Sequence, residues 1–180
     1  MYTLHVAKSE YYDSNTNEFF ETPEKDLELE HSLLSISKWE AKWHRAFLSE
    51  QQGPKTREEL LDYIRCMTLT KNVDPMIYAG ITDKQIKDVM DYAGDSMTAT
   101  TFKNTRRGRA SSGFITNEVL YWQMCQYGIP FECQKWHLNR LLTLIRVCNE
   151  KGEPPQKMSQ RDVLRQYAGA NAKRRKPRKH

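Results

Sequence analysis

The spacing of apolar residues changes once along this chain, and that change limits the folds open to it. Up to residue 34, apolar side chains recur at every second position, which is typical of strands with one buried face. From Ser35 onward they recur at every third or fourth position, which is the period of an amphipathic helix. The sequence therefore predicts an α+β fold, in which a small N-terminal antiparallel β-sheet precedes a mainly α-helical bundle of five or six helices.

Three short strands are expected in the N-terminal part. Tyr2–Lys8 and Asp26–Leu33 both show the alternating pattern. Between them, the turn-forming cluster Asp13–Asn17 separates two aromatic pairs, at positions 11–12 and 19–20, which favours a hairpin. The predicted organisation is a β element over residues 1–34, a helical domain over 35–157, and a C-terminal helix with a basic tail over 158–180.

Local capping signals predict where several helices begin. Ser37 is a candidate N-cap for a helix over residues 38–47, and Thr116 for a later one. Two capping boxes, Thr56–Glu59 and Thr82–Gln85, predict two more helices. The most apolar segment, Phe131–Asn149, is predicted to be a single helix and the most buried one in the bundle.

Hydropathy favours a protein that stays in the cytosol. No apolar run approaches the roughly 18 residues that span a bilayer. The first twenty residues lack the basic and apolar regions of a secretory signal. We therefore expect no membrane partner.

Charge is distributed unevenly. The net charge is +5, but residues 1–50 hold five Lys or Arg and ten Asp or Glu, whereas residues 173–180 hold six basic residues and no acidic one. An acidic N-terminal part and a basic C-terminal part suggest oriented contacts, either between copies of the chain or with a charged partner. Self-association is therefore an expectation.

Two clusters of basic residues are candidate electrostatic contacts. Such runs neutralise phosphates without base specificity, but neither is interleaved with the aromatic side chains that stack on bases. Docking to an acidic protein surface is therefore favoured over nucleic-acid binding. The residues concerned are Arg106, Arg107 and Arg109 in a predicted loop, and Lys173, Arg174, Arg175, Lys176, Arg178 and Lys179 in the tail.

The sequence shows no complete catalytic or metal-binding pattern. Cys133 and His137 have a spacing that could place both on one metal ion, but no further ligands lie nearby in the sequence. The four cysteines are expected to be reduced and buried in helices. We therefore predict no catalytic residues, no metal and no cofactor.

Trp39, Trp43 and Phe47 are spaced to lie along one stripe of a helix. Core packing is the ordinary role of such a stripe. Any member that is exposed would be a binding hot spot, because tryptophan and phenylalanine bury a large area with few rotatable bonds. We therefore take these three residues as the candidate protein-binding site.

Two segments carry a family resemblance. They are Leu34–Phe47 and a second stretch formed by Ile129–Cys133 and Trp136–Asn149. Both resemble a family of small proteins encoded in the tail-gene region of tailed bacteriophages, described as tail assembly chaperones. With the helix predicted after Met158, the resemblance covers most of residues 30–175.

The resemblance implies a function without catalytic residues or a cofactor. Such a protein holds the long, helical tape-measure protein in solution and helps tail-tube subunits assemble around it in the host cytoplasm. The alternative from the same gene region is a structural component of the tail or baseplate, located in the virion tail. A third hypothesis is a nucleic-acid-binding protein that uses the basic C-terminal tail.

Overall fold

The computed structural model describes residues 1–13, 17–49, 51–102 and 115–152. The chain divides into two compact units, Met1–Arg146 and Val147–His180, and the contacts described below belong to the first. The secondary structure of the described residues is of the predicted α+β class. The elements are β1 Tyr2–Val6, β2 Ser9–Asp13, β3 Glu18–Thr22, β4 Lys25–Leu29, α1 Leu33–Trp43, α2 Arg57–Met67, α3 Asp83–Gly94, α4 Asn117–Gln126 and α5 Leu138–Gly152, with 3₁₀-helices at Pro75–Gly80 and Phe131–Lys135.

The N-terminal part is one long antiparallel hairpin. Its described residues, 1–13 and 17–34, contain four strands where three were expected: β1 pairs with β4, and β2 pairs with β3. The two ladders continue one register. Val6 lies opposite Lys25 and Ser9 lies opposite Thr22, so the two pairs are three residues apart on both sides of the hairpin. The pairing is interrupted around Pro23, which has no N–H to donate to a ladder.

The strands β1 and β4, which form the half of the hairpin nearest the helices, cover one side of the hydrophobic core. Their inward residues are almost completely buried, as the alternating pattern predicts. The strand β4 is also tied to the end of α2, where the N–H of Glu30 donates to the carbonyl of Met67 (3.0 Å) and the N–H of Leu69 donates to that of Glu28 (2.8 Å). The buried residues are Leu4, Val6, Leu27 and Leu29.

The helix α1 starts earlier than predicted. Its N-cap is Ser32, not Ser37, and a capping box with Ser35 fixes it: the Ser32 side chain accepts from the Ser35 N–H, and the Ser35 side chain accepts from the Ser32 N–H. The helix ends at Trp43 because His44 adopts a left-handed conformation, with φ of 51°. Phe47 therefore lies beyond the helix.

The other capping predictions are confirmed. Thr56 and Glu59 form a reciprocal box at the start of α2, and Thr82 and Gln85 form one at the start of α3. Thr116 is the N-cap of α4, but its side chain makes no capping hydrogen bond.

The prediction of a single helix over Phe131–Asn149 is wrong. A 3₁₀-helix ends at Lys135, and α5 starts at Leu138, whose N–H donates to the carbonyl of His31 (2.7 Å). This bond is part of a β-bridge between Ser32 and His137, and it redirects the chain.

The expectation that the helix at 131–149 would be the most buried is also wrong. Phe131 is 53% exposed, and over residues 138–151 of α5 only Leu138, Leu141 and Ile145 are buried. The helices α1 and α2 each bury five residues. The apolar residues of α5 spread over more of its circumference than the core covers.

Leu141→Asp should be among the most destabilising substitutions. Leu141 is fully buried, so the change places an unpaired carboxylate in the core and should lower the free energy of unfolding by at least about 4 kcal/mol. Urea unfolding followed by circular dichroism measures the change. Leu69→Asp is the matched control because Leu69 is 51% exposed, and it should change that free energy by less than about 1 kcal/mol. Equal effects of the two substitutions would contradict the assignment.

Candidate protein-binding surface

The helix α4 has apolar residues on two faces. Leu120 and Met124 point inward and are buried. Val119 and Trp122 lie on the opposite side and are 39% and 61% exposed. Ile115, the residue before the N-cap Thr116, is 46% exposed. We call Ile115, Val119 and Trp122 the α4 outer face.

A further aromatic residue lies near this helix. The Phe131 ring lies 6.2 Å from the ring of Tyr121, which is on α4, and Phe131 is 53% exposed. The Tyr121 hydroxyl donates to the side-chain oxygen of Gln134 (2.8 Å), which ties the 3₁₀-helix to α4. An exposed tryptophan with apolar neighbours at helical spacing is a typical protein-binding feature.

A buried carboxylate on α1 holds α4 in place. The Oε2 atom of Glu40 accepts hydrogen bonds from the backbone N–H of Asn117 (2.8 Å) and from its side-chain Nδ2 (2.7 Å). The Oε1 atom of Glu40 accepts from the backbone N–H of Phe47 (2.7 Å). Glu40 thus supplies, from another helix, a partner for one of the N–H groups that the start of α4 leaves free. Its negative charge also interacts favourably with the helix dipole.

The predicted aromatic stripe lies at the joint between α1 and α2. Trp39 is fully buried, and its indole N–H donates to the carbonyl of Glu59 (2.8 Å). Phe47 is 8% exposed and stacks on Tyr63, with ring centroids 3.9 Å apart. Trp43 is half-buried, and its indole N–H donates to Asp62 Oδ2 (2.9 Å). The binding role assigned to the stripe stays a prediction, but two of its three members are not at the surface.

Buried acidic residues on α2 complete this joint. Asp62 also accepts from Lys42 Nζ (2.5 Å), and Glu59 forms an ion pair with Arg45. The Glu59 carboxylate also accepts from the Thr56 N–H (2.7 Å). These bonds hold the pKa of Glu59 below its usual range, and the hydrogen bond from Thr56 has the largest effect. The polar groups of the joint therefore serve packing between helices.

A second buried cluster contains two histidines. The rings of His31 and His137 lie edge to face, with centroids 5.1 Å apart. His31 Nδ1 lies 2.5 Å from the Tyr63 hydroxyl, and His137 Nε2 donates to the carbonyl of Tyr92 (3.3 Å). Nearby, the Tyr92 hydroxyl donates to Glu30 (2.8 Å).

Burial disfavours the charged form of both imidazoles. Desolvation, reinforced by the neighbouring His137, lowers the pKa of His31 to about 3. Desolvation also lowers the pKa of His137, against the opposing effects of its hydrogen bond to Tyr92 and of the Glu30 carboxylate. Within the described part of the chain, His137 Nδ1 is a buried atom with no hydrogen-bond partner. This cluster was not predicted, because its members are far apart in the sequence.

The candidate metal pair is not on one helix. Cys133 is buried in the 3₁₀-helix, and His137 lies after the break that precedes α5. Over residues 1–13, 17–49, 51–102 and 115–152, no three His, Cys, Asp or Glu side chains are grouped so as to hold a metal ion. The prediction of four buried thiols is wrong for three of them: Cys133 is buried, but Cys66 and Cys148 are half-buried and Cys125 is exposed on α4.

The predicted electrostatic contacts lie outside the described residues. This applies to Arg106, Arg107 and Arg109 and to the tail from Lys173 to Lys179. Within the described ranges, no helix is both long enough and apolar enough to cross a bilayer. No protein-family model, curated protein or solved structure matches the chain.

Sequence reasoning missed the α4 outer face. The signal was present, since Leu120 and Met124 cannot share a helix face with Trp122. A helix that is apolar on two sides needs either a second layer of the same chain or a partner to cover the second side. The sequence alone does not show which side the core covers.

Glu40→Gln should lower the free energy of unfolding by about 2 to 4 kcal/mol, because an amide oxygen replaces a buried carboxylate that accepts three N–H groups. Urea unfolding measures the loss. Glu58→Gln serves as the control since Glu58 is exposed in the first turn of α2, and we expect a change within about 0.5 kcal/mol. A Glu40→Gln protein as stable as wild type would show that the carboxylate does not anchor α4.

Stability should fall as the pH is lowered from 7 to 5. His31 and His137 have folded-state pKa values below the ordinary 6.5, so the unfolded chain binds protons first. Once the pH is well below 6.5, His31, whose folded-state pKa is about 3, should remove up to about 1.4 kcal/mol per pH unit, and His137 should act in the same direction. Urea unfolding across this range tests the expectation.

Substitution of the two histidines tests whether His31 and His137 cause the pH dependence of the unfolding free energy. His31→Gln and His137→Gln should each flatten the dependence of unfolding free energy on pH, whereas His44→Asn, at an exposed position, should leave it unchanged. An unfolding free energy independent of pH in the wild-type protein would refute a neutral buried pair.

Proposed function

We propose that this chain is a protein-binding assembly factor, and that it binds its partner through the α4 outer face. The observation that carries the proposal is the exposure of Trp122 and Val119 on a helix whose other side is buried in the core, together with that of Ile115 just before the helix. Exposed apolar groups at helical spacing can pack against a matching stripe on a partner helix.

The anchoring of α4 supports this role. A binding surface gains affinity when it is already held in its bound geometry, because less conformational entropy is then lost on association. Leu120 and Met124 pack α4 on the core, and Glu40 fixes the start of the helix. Trp122 is therefore presented from a rigid element.

The family resemblance supplies the class of partner. Tail assembly chaperones of tailed bacteriophages act on the tape-measure protein and on tail-tube subunits. A tape-measure chain outside its tube exposes apolar helix stripes, and the α4 outer face is chemically suited to cover one. We therefore propose the tape-measure protein as the partner and the host cytoplasm as the place of action.

Trp122→Ala should weaken partner binding at least about tenfold, since a central tryptophan is a frequent hot spot. Trp122 is 61% exposed, so the substitution should change the free energy of unfolding by less than about 1 kcal/mol. The measurement is co-purification of the tape-measure protein, or of the tail-tube protein, from cells that express both chains, followed by titration of the purified partner.

Two further variants make the result specific. Leu69→Ala removes an exposed apolar side chain outside α4 and should leave binding unchanged. Trp39→Ala should reduce stability by about 3 to 5 kcal/mol, because Trp39 is a core residue. Full binding by Trp122→Ala would refute the assigned surface.

The composition of purified particles separates the proposed role from its alternatives. An assembly factor should be missing from finished virions, whereas a tail or baseplate component should be present in a fixed copy number. Mass spectrometry of virions gives that answer. Recovery of DNA instead of protein in the co-purification would favour the nucleic-acid hypothesis.

A further inference from the structure

The outer half of the hairpin has one face whose four residues are all exposed. Glu10 lies directly opposite Glu21, and Tyr12 lies directly opposite Phe19. Because side chains alternate along a strand, these four residues lie on the same face. All four side chains are exposed. We call this set the hairpin face.

The aromatic pair on this face is unusually exposed. Tyr12 is 54% exposed and Phe19 is 74% exposed, and their ring centroids are 5.0 Å apart. The pair therefore offers two adjacent ring surfaces to an incoming group. Ring faces attract cations, and the guanidinium of arginine stacks on them well.

The carboxylates on this face select a cationic partner. Two like charges directly opposite one another destabilise a strand pair. Lys8 Nζ lies 2.6 Å from Glu21 Oε2 and offsets part of the repulsion. In the described part of the chain, Glu10 has no ion pair of its own. A second cation at this face would relieve the remaining repulsion.

The chain also contains a basic segment, residues 173–180, whose charge is opposite to that of the hairpin face. Residues 1–30 hold eight acidic residues and two lysines, a net charge of −6, whereas residues 173–180 hold six Lys or Arg and no acidic residue. We propose that the hairpin face binds the 173–180 segment of a second copy, with basic side chains paired to Glu10 and stacked on Tyr12 and Phe19. The contact links the acidic end of one copy to the basic end of the next.

This surface is separate from the α4 outer face, and the two can be tested independently. Self-association of the purified chain requires no other protein. Trp122→Ala should therefore leave self-association unchanged even though it weakens binding to the tape-measure protein. Failure of either proposal leaves the other standing.

Sedimentation equilibrium of the full chain measures the self-association. The wild-type protein should associate at about 50 mM salt, and the dissociation constant should rise at least about tenfold at about 300 mM salt, because contacts between exposed charges are screened. Deletion of 173–180 and Phe19→Ser should each weaken association at least about tenfold. Leu69→Ser is the control for loss of an exposed apolar side chain and should have no effect.

Glu10→Lys separates binding from folding. It replaces two opposed carboxylates by an oppositely charged pair with Glu21, so it should stabilise the hairpin while it weakens self-association. Reversal of charge in the tail, by Arg174→Glu with Arg175→Glu, should restore association to the Glu10→Lys protein. A wild-type chain that is monomeric at low salt, or association that survives deletion of 173–180, would overturn the proposal.

Discussion

The carboxylate of Glu40 is the contact on which the arrangement of the helical core depends. It accepts from the N–H of Phe47 on one side and from two N–H donors of Asn117 on the other, and it is buried. A buried carboxylate is stable only when its oxygen atoms are fully hydrogen-bonded. Here that requirement fixes two distant segments at once: the turn after α1 and the start of α4. The exposed side of α4 is thereby presented in a single orientation.

At the joint between α1 and α2, the polar atoms of buried side chains are likewise hydrogen-bonded. Trp39 is fully buried and Trp43 is half-buried, and both keep their indole N–H groups bonded, Trp39 to the carbonyl of Glu59 and Trp43 to the carboxylate of Asp62. Tyr63 completes the joint by stacking on Phe47. Two of the three aromatic residues that resemble a docking stripe in the sequence, Trp39 and Phe47, are therefore used to join two helices.

The sequence predicts what is determined locally. The reciprocal capping boxes at Thr56 and Thr82, the aromatic hairpin and the α+β class depend on residues close together in the chain, and the structure contains all of them. The predictions that were wrong concern features that depend on contacts between residues far apart in the sequence. The break before Leu138 comes from its bond to His31, and the burial of Trp39 comes from α2. The α4 outer face could not be predicted for the same reason, because only the packed core shows which side of that helix is left uncovered.

We propose that the protein binds its partner with α4 and not with the tryptophans of α1. Hydrogen–deuterium exchange by mass spectrometry, on the free chain and on its complex with the tape-measure protein, tests this most directly. We expect slower exchange in peptides covering residues 115–126 when the partner is bound, with no change in peptides covering residues 33–47. Protection confined to residues 33–47, with 115–126 unchanged, would contradict it.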